Sequence, residues 1–336
     1  MFMGRLQIAL GDGIRQPANG AFVMFVKRTP DGSLVIGAPA KVNLFLEILG
    51  KRPDGFHAIH SLFQAVSLFD RLTFQPLPDP GIRLTVRGDT PAPIGPENTV
   101  IKAYEAFRAL ANSGFGLQVD LEKCIPSGAG LGGGSADAAA TIVACNALLN
   151  NQLTIGQLSE IGARVGSDVP FFFSCGQAIV TGRGEVVTES QFPTDYWLVL
   201  VTPALSISTA ASYAGLNMPL TDIRRASSFS GSRSAAEFVN SLRLTGNDFE
   251  SGHLESFPVL SKIRDWLTDR GARLVRMSGS GSTMFGIFET APDWANEHEF
   301  EQESWQINLV RPIVLPRIEV NPNGGEPWKS QRSGSR

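Results

Sequence analysis

At 336 residues the chain exceeds the usual size of a single domain, so two packed units are expected. With 43% hydrophobic residues, 18% charged residues and a net charge of −3, it reads as a folded protein without a global field to gather nucleic acid or an anionic membrane, and any phosphate must be held locally. Three widely spaced cysteines, Cys124, Cys145 and Cys175, suit neither a disulfide framework nor a zinc site; no apolar run is long enough to cross a bilayer or is arranged as a secretion signal, so a cytoplasmic protein is expected.

Residues 1–33 mix short apolar runs with Gly, Pro and Asp and are read as an N-terminal extension. Residues 34–49 are rich in β-branched and apolar side chains and predict a strand that bends at Pro39. Side chains two apart on a strand share a face, so Lys41 and Asn43 project toward one site. A turn at Pro53-Asp54-Gly55 leads to a second strand over 61–74. Val100, Ala103, Tyr104, Phe107, Leu110 and Ala111 form a helical stripe, with Asn98 or Thr99 as N-cap and Gly114 beyond its end. Leu117, Val119 and Leu121 alternate with polar residues in a half-buried strand that stops at Pro126, and a small-residue-rich helix follows over 135–150. Thr154 and Gln157 make a capping box ahead of the stripe Leu158, Ile161 and Val165, which Gly166 closes. Residues 177–189 predict a hairpin turning at Gly182-Arg183-Gly184.

A composition shift near residue 193 marks a domain boundary, placing one domain at 34–193 and a second at 194–318. In the second, a strand over 196–201 comes first, and Ser-rich residues 224–236 predict a surface insertion or mobile loop. Leu260, Ile263 and Leu267 stripe a helix ending at Gly271, and 273–277 resume as strand. The polar tail 319–336 is expected to be disordered.

The segment with chemistry written into it is Pro126-Ser127-Gly128-Ala129-Gly130-Leu131-Gly132-Gly133-Gly134-Ser135-Ala136, between a predicted strand and a predicted helix. Glycines let successive N–H groups converge on an anion without Cβ obstruction, and the helix N-terminus adds its partial positive charge. A triphosphate suits such a cradle. The segment is not a P-loop, because no Lys-Ser/Thr pair follows the glycines, and the dinucleotide fingerprint would lack its acidic residue at the end of the next strand. The bland alternative is a linker or tight turn, but linkers are seldom flanked by proline on one side and a long apolar helix on the other. Ser135 is expected to cap that helix, a role compatible with donating to a phosphate oxygen.

This loop, together with APAKVNLFLEILGKRPDGFH (38–57), GSDVPFF (166–172), NDFES (247–251) and MSGSGSTMFGIF (277–288), resembles the GHMP kinase superfamily over about residues 35–315. Its PDGxH turn and long GAGLGGGS loop are most similar to the branch that phosphorylates the 2-hydroxyl of a cytidine-diphosphate-linked methylerythritol, on the non-mevalonate route to isoprenoid precursors. The resemblance implies an α+β fold of two domains, ribosomal protein S5 domain 2-like and then ferredoxin-like, with ATP and a small-molecule substrate in the cleft between them. Mg²⁺ is expected to accompany ATP, with no protein ligand assigned to it.

Carried over residue by residue, the resemblance makes Asp168 the group that accepts the hydroxyl proton and Lys41 the group that balances charge beside it. Read on residues alone, Asp168 is a turn or cap residue before Pro170 and Lys41 a solvated strand lysine. The resemblance puts cytosine against Phe56 and His57, with Tyr213, just after Thr209, closing on the base. Asn43 becomes a substrate contact, Gly279 and Gly281 part of a loop for the substrate diphosphate, and Lys123 a lysine near the nucleotide, whose alternative is strand-end surface charge. Two departures stand out: Phe56 where tyrosine is common, and Ala136 where the loop usually has a second serine. A non-catalytic sensing member of the fold is the rival reading, against which the retention of both Lys41 and Asp168 argues.

Overall fold

The computed structural model describes residues 26–88, 90–111, 115–149, 153–216, 232, 234–296 and 304–314. The first unit is a seven-stranded sheet built on two long partners, β2 (Leu34–Lys51) and β3 (His57–Leu77), paired antiparallel along their length. β1 (Val26–Arg28) adds to β2, so residues 26–33 of the expected extension form a hairpin on this sheet. The C-terminal half of β3 pairs with β5 (Gly116–Glu122), which carries β4 (Gly81–Arg87) parallel on its far side. The N-terminal half pairs with β6 (Gln177–Thr181), which folds back as β7 (Val186–Glu189) around the turn expected at Gly182-Arg183-Gly184.

Among the described residues three helices cover this sheet: α1 (Thr99–Ala111), α2 (Gly133–Leu148) and α3 (Ile155–Val165). The expected caps of the first and third are present, with Val100 N–H donating to Asn98 Oδ1 at 2.8 Å and a reciprocal Thr154/Gln157 capping box. The second differs from its sequence reading. It starts at Gly133, and its N-cap is Gly132 in the left-handed region (φ 70°) with no side-chain cap bond, so Ser135 lies in the first turn instead of capping it. The run of glycines makes this possible, since a Cβ at position 132 would stand 2.9 Å from Lys41 Cγ.

The second unit is an antiparallel sheet in the order β11 (Gln306–Val310), β8 (Trp197–Thr202), β10 (Met284–Phe288), β9 (Leu274–Met277). Its helices are α4 (Thr209–Ala214), α5 (Ala235–Leu242), α6 (Glu250–Ser256) and α7 (Pro258–Asp269). Of the Ser-rich run 224–236, Ser234 caps α5 and Ala235 and Ala236 begin it; 224–231 and 233, like 1–25 and the tail 319–336, lie outside the described residues. No helix among the described residues is long and apolar enough to cross a membrane.

Three cores hold these layers together, and the middle one fixes the cleft. Ile36 and Ala38 of β2 pack in the first core with Phe74, Tyr104 and Phe171; beyond the register shift at Pro39/Ala40, Ala40, Val42 and Leu44 pack instead with Leu198, Leu200, Phe238 and Phe285 of the second unit. Each fully buried side chain of this size contributes about 1.5–3 kcal/mol. Arg276, also buried, spans the same boundary by donating to Leu44 O at 2.6 Å and to Thr245 O at 2.7 Å. The chain then returns. Ser67 N–H donates to Arg311 O, Ile313 N–H donates to Ala65 O, both at 2.9 Å, and Ile313 joins the first core. Residues 311–313, assigned on sequence to the second domain, thus fill the stretch of β3 between its β6 and β5 partners, where main-chain groups would otherwise be buried unpaired.

Candidate active site

Between the two units lies a cavity of about 200 Å³, lined by Lys41, Asn43, Gly128, Gly130, Gly132 and Asp168 from the first and by Thr209, Tyr213, Gly279 and Ser280 from the second, with Arg183 at the hairpin tip. A larger hollow of about 250 Å³, against Tyr196, Asn240 and Arg273, contains none of the expected site residues.

The strand parity expected for Lys41 and Asn43 holds: Lys41 Nζ donates to Asn43 Oδ1 at 2.6 Å and to Gly130 O at 3.0 Å, and lies 3.4 Å from Asp168 Oδ2. The ammonium also stands 4.7 Å from the centre of the Phe63 ring. Burial lowers the Lys41 pKa from the ordinary lysine value, with Asp168 opposing that shift only in part. Lys41 is therefore no solvated strand lysine. Asp168 occupies the cap position of a 3-10 turn (Val169–Phe173) but makes no cap bond; its carboxylate, 29% exposed, faces Lys41 and the cavity.

The glycine loop alternates handedness, with Gly128, Gly130 and Gly132 at φ 66°, 78° and 70°. A Cβ on Gly130 would stand 2.0 Å from Ser278 O, so only glycine lets this loop approach the 278–282 loop of the other unit. Lys41 N–H donates to Leu131 O and Ser278 Oγ to Gly130 O, both at 2.9 Å, which fastens the loop to both walls. The half-buried Ser135 and the exposed Gly134 lie in the first turn of α2, where helix N–H groups have no intrahelical acceptor. Pro126, Ala129, Leu131 and Gly133 are buried behind the loop, while Ser127 is exposed. Ala136 is different: its side chain sits in the first core and its amide donates to Gly132 O at 2.9 Å, so neither is free for a phosphate.

Lys123 contradicts its reading as surface charge. It is 3% exposed, paired with Asp70 and with Asp137 Oδ2 at 3.0 Å, and Asp70 Oδ1 in turn accepts from the amides of Cys124 and Ile125 at 2.7 and 2.9 Å. The ammonium is thus the bottom of the loop, tying β3 to the loop entrance and to α2. Sequence reasoning passed over Asp70, although a signal was there: Leu68, Leu72 and Phe74 share its buried face of β3, where an acid needs a partner. Asn247, in the NDFES segment, was also missed as a support; its side-chain amide donates to Met277 O and Gly279 O at 2.8 Å and holds the second loop.

Of the expected base-reading residues Tyr213 lines the cavity, and His57 and Phe56 lie beside it against Tyr213 and Arg183. The His57 ring stacks on Tyr213 (4.6 Å, 13° between planes), while Phe56, 48% exposed, lies under the Arg183 guanidinium at 4.9 Å. Burial pushes the Tyr213 phenol up to about 12, with Asp168 adding to the shift. Thr209 Oγ1 meets Ser280 Oγ at 2.9 Å beside Gly279. Gly281 does not line the cavity; it packs behind the loop, where a Cβ would stand 2.8 Å from Met277 Sδ.

An amine and a carboxylate side by side at the edge of a glycine cradle is the equipment of phosphoryl transfer to a hydroxyl. Residues 98–176 match the GHMP kinases N terminal domain and residues 230–297 the GHMP kinases C terminal domain. A protein of Citrifermentans bemidjiense named 4-diphosphocytidyl-2-C-methyl-D-erythritol kinase is 41% identical over 257 residues, covering 75% of this chain and 89% of that one. A protein of the same name from Geobacter sp. (strain M21) is 40% identical over 282 residues, covering 82% and 98%. The chain belongs to the 4-diphosphocytidyl-2-C-methyl-D-erythritol kinase family. A crystal structure of a 4-(cytidine 5'-diphospho)-2C-methyl-D-erythritol kinase matches with a TM-score of 0.67 at 31% identity, covering 82% of this chain and 98% of that one. A homoserine kinase from Cytophaga hutchinsonii (TM-score 0.66, 20% identity, covering 86% and 97%) shares the fold.

Proposed function

We propose that this chain transfers the γ-phosphoryl group of ATP to the 2-hydroxyl of 4-diphosphocytidyl-2-C-methyl-D-erythritol, giving the 2-phosphate and ADP. The observation that carries the reading is the Lys41–Asp168 pair, 3.4 Å apart at the mouth of a glycine cradle in a cavity walled by both units. Its support from relatives is an identity of 41% to a kinase of that name across most of both chains.

The cradle suits a polyphosphate: the left-handed turns at Gly128, Gly130 and Gly132 let the loop lie close against Lys41 and the 278–282 loop, and the N-terminus of α2 follows directly at Gly133. ATP supplies the phosphoryl group, and Mg²⁺ is expected to arrive with it. Asp168 accepts the proton of the acceptor hydroxyl, since its carboxylate keeps access to the cavity. Lys41 balances the charge of Asp168 and positions it, and Asn43 fixes the ammonium by accepting its hydrogen bond at 2.6 Å. Phe56, His57 and Tyr213 supply rings for a pyrimidine base, and Thr209 and Gly279 the wall beside it.

The test is ADP release in a coupled assay, with the cytidylated acceptor compared against mevalonate and homoserine. Turnover at least about a hundredfold more efficient on the cytidylated acceptor is expected, because a base-reading site left unfilled forfeits several kcal/mol. Equal or faster turnover of either competitor would sink the substrate assignment while leaving the kinase fold intact.

A further inference from the structure

The tip of the β6–β7 hairpin, residues 182–185, is held from two sides. Ile59 N–H donates to Gly182 O at 2.8 Å, two residues past His57. Gly184 lies so close to the catalytic turn that a Cβ there would stand 3.0 Å from Ser167 Cβ and 3.3 Å from Asp168 Oδ1. Arg183 sits between these anchors and lines the cavity.

Its guanidinium is fixed without a salt bridge among the described residues. The group lies 4.9 Å over the Phe56 ring, and Nη2 donates to Ala163 O at 2.9 Å. Among the described residues no carboxylate forms a salt bridge with it: Glu185 accepts the Arg183 backbone N–H at 2.6 Å, and Asp54, whose carboxyl pKa is lowered chiefly by Arg52 and least by Arg183, pairs with Arg52 at 2.9 Å. Lys41, the other cation on the cavity wall, already faces Asp168, so that pair adds no net charge to the site.

We infer that Arg183 binds the diphosphate of the acceptor substrate. The inference rests on the proposed function and deepens it. In the cytidylated acceptor the two phosphates stand between the nucleoside and the erythritol that carries the reacting hydroxyl. With the base at Phe56, His57 and Tyr213 and the hydroxyl at Asp168, the dianion crosses the wall where Arg183 stands. A guanidinium with one N–H committed keeps a planar edge of donors for two phosphate oxygens. Stacked on a ring, it loses little rotamer freedom when the ligand arrives. The 278–282 loop offers main-chain amides on the opposite wall but no full positive charge, which Arg183 supplies.

Calorimetric titration of cytidine, CDP and ATP into the wild type, Arg183→Ala and Arg183→Lys, with steady-state kinetics on the full acceptor, tests this. The wild type binds CDP more tightly than cytidine. In Arg183→Ala, CDP affinity falls about 10- to 100-fold and the KM of the acceptor rises by a similar factor, while cytidine and ATP affinities and kcat stay within about twofold. Arg183→Lys recovers part of the loss, and unchanged ATP binding shows that both variants are folded. Equal losses for cytidine and CDP overturn the inference, because Arg183 would then only support the Phe56 ring. Unchanged CDP affinity, or a loss confined to ATP, overturns it as well. A wild type that binds neither cytidine nor CDP brings down the acceptor assignment itself, and this inference with it.

Discussion

Two lysine clusters flank the glycine loop, and their ammonium groups are equally buried: Lys41 and Lys123 are each 3% exposed. Their pKa values nevertheless move in opposite directions. Burial dominates at Lys41, whose single carboxylate partner is partly solvated, and its pKa falls. At Lys123 burial is the largest single influence, but Asp137 and Asp70 together outweigh it, and its pKa rises. Asp137 is held well above the usual carboxylate range, by burial first and by its neighbour Asp70 second. The contrast separates chemistry from architecture. An acid that keeps solvent access can meet a substrate hydroxyl, whereas two acids sealed around one ammonium hold a loop in place.

The sharpest way to break this comparison is to remove the exposed acid. Asp168→Ala should lower kcat by about 10²- to 10⁴-fold and leave ATP affinity and urea midpoint within error, since the loop backbone holds the triphosphate. A parallel loss of ATP affinity would place Asp168 among the nucleotide contacts instead. Removing the sealed lysine should do the reverse: Lys123→Met strands two buried carboxylates and should destabilise the fold by about 3–5 kcal/mol in urea unfolding. A stable Lys123→Met protein would mean that the triad is dispensable.

Asp70→Asn is a milder probe. It weakens the acceptor of two loop amides, so a loss of about 1–3 kcal/mol in stability should come with a higher KM for ATP and little change in the KM for the acceptor. The smallest expected effect is a displaced pH limb. As pH rises through the lowered Lys41 pKa, the ammonium loses its proton and Asp168 its partner, so kcat should fall at a lower pH than an ordinary lysine would give. Lys41→Arg, though slower at neutral pH, should carry its residual activity to higher pH, because guanidinium stays charged. An unmoved alkaline limb would assign that titration to another group.

Local pattern made much of the first unit legible before any coordinates. Alternation put Lys41 and Asn43 on one face of β2, and the Thr154/Gln157 pair marked the start of α3, because both depend only on neighbours a few residues away. What pattern could not convey was partnership across the fold. Lys123 looks like a strand-end charge until β3 brings Asp70 beneath it from 53 residues earlier in the chain. Arg183 reads as the middle of a glycine turn until that turn is seen packed against Asp168. Ser135 reads as a cap because serine is a usual one, but Gly132, three residues earlier and in the left-handed region, takes that position.

The return of residues 311–313 to β3 has a consequence for how the molecule is made. The glycine loop and its supports within the first unit, Lys41, Asp70, Lys123 and Asp137, are translated by residue 193, but the strip of β3 around Ala65 and Ser67 keeps open main-chain groups until Arg311 and Ile313 leave the ribosome. A nascent chain therefore carries a first unit that is finished in sequence and unfinished in packing, with the second wall of the cleft synthesised in the interval. Vectorial synthesis thus delivers both walls of the cleft before the last stitch is drawn, and a nascent chain stalled short of that point leaves a sheet edge exposed to other chains.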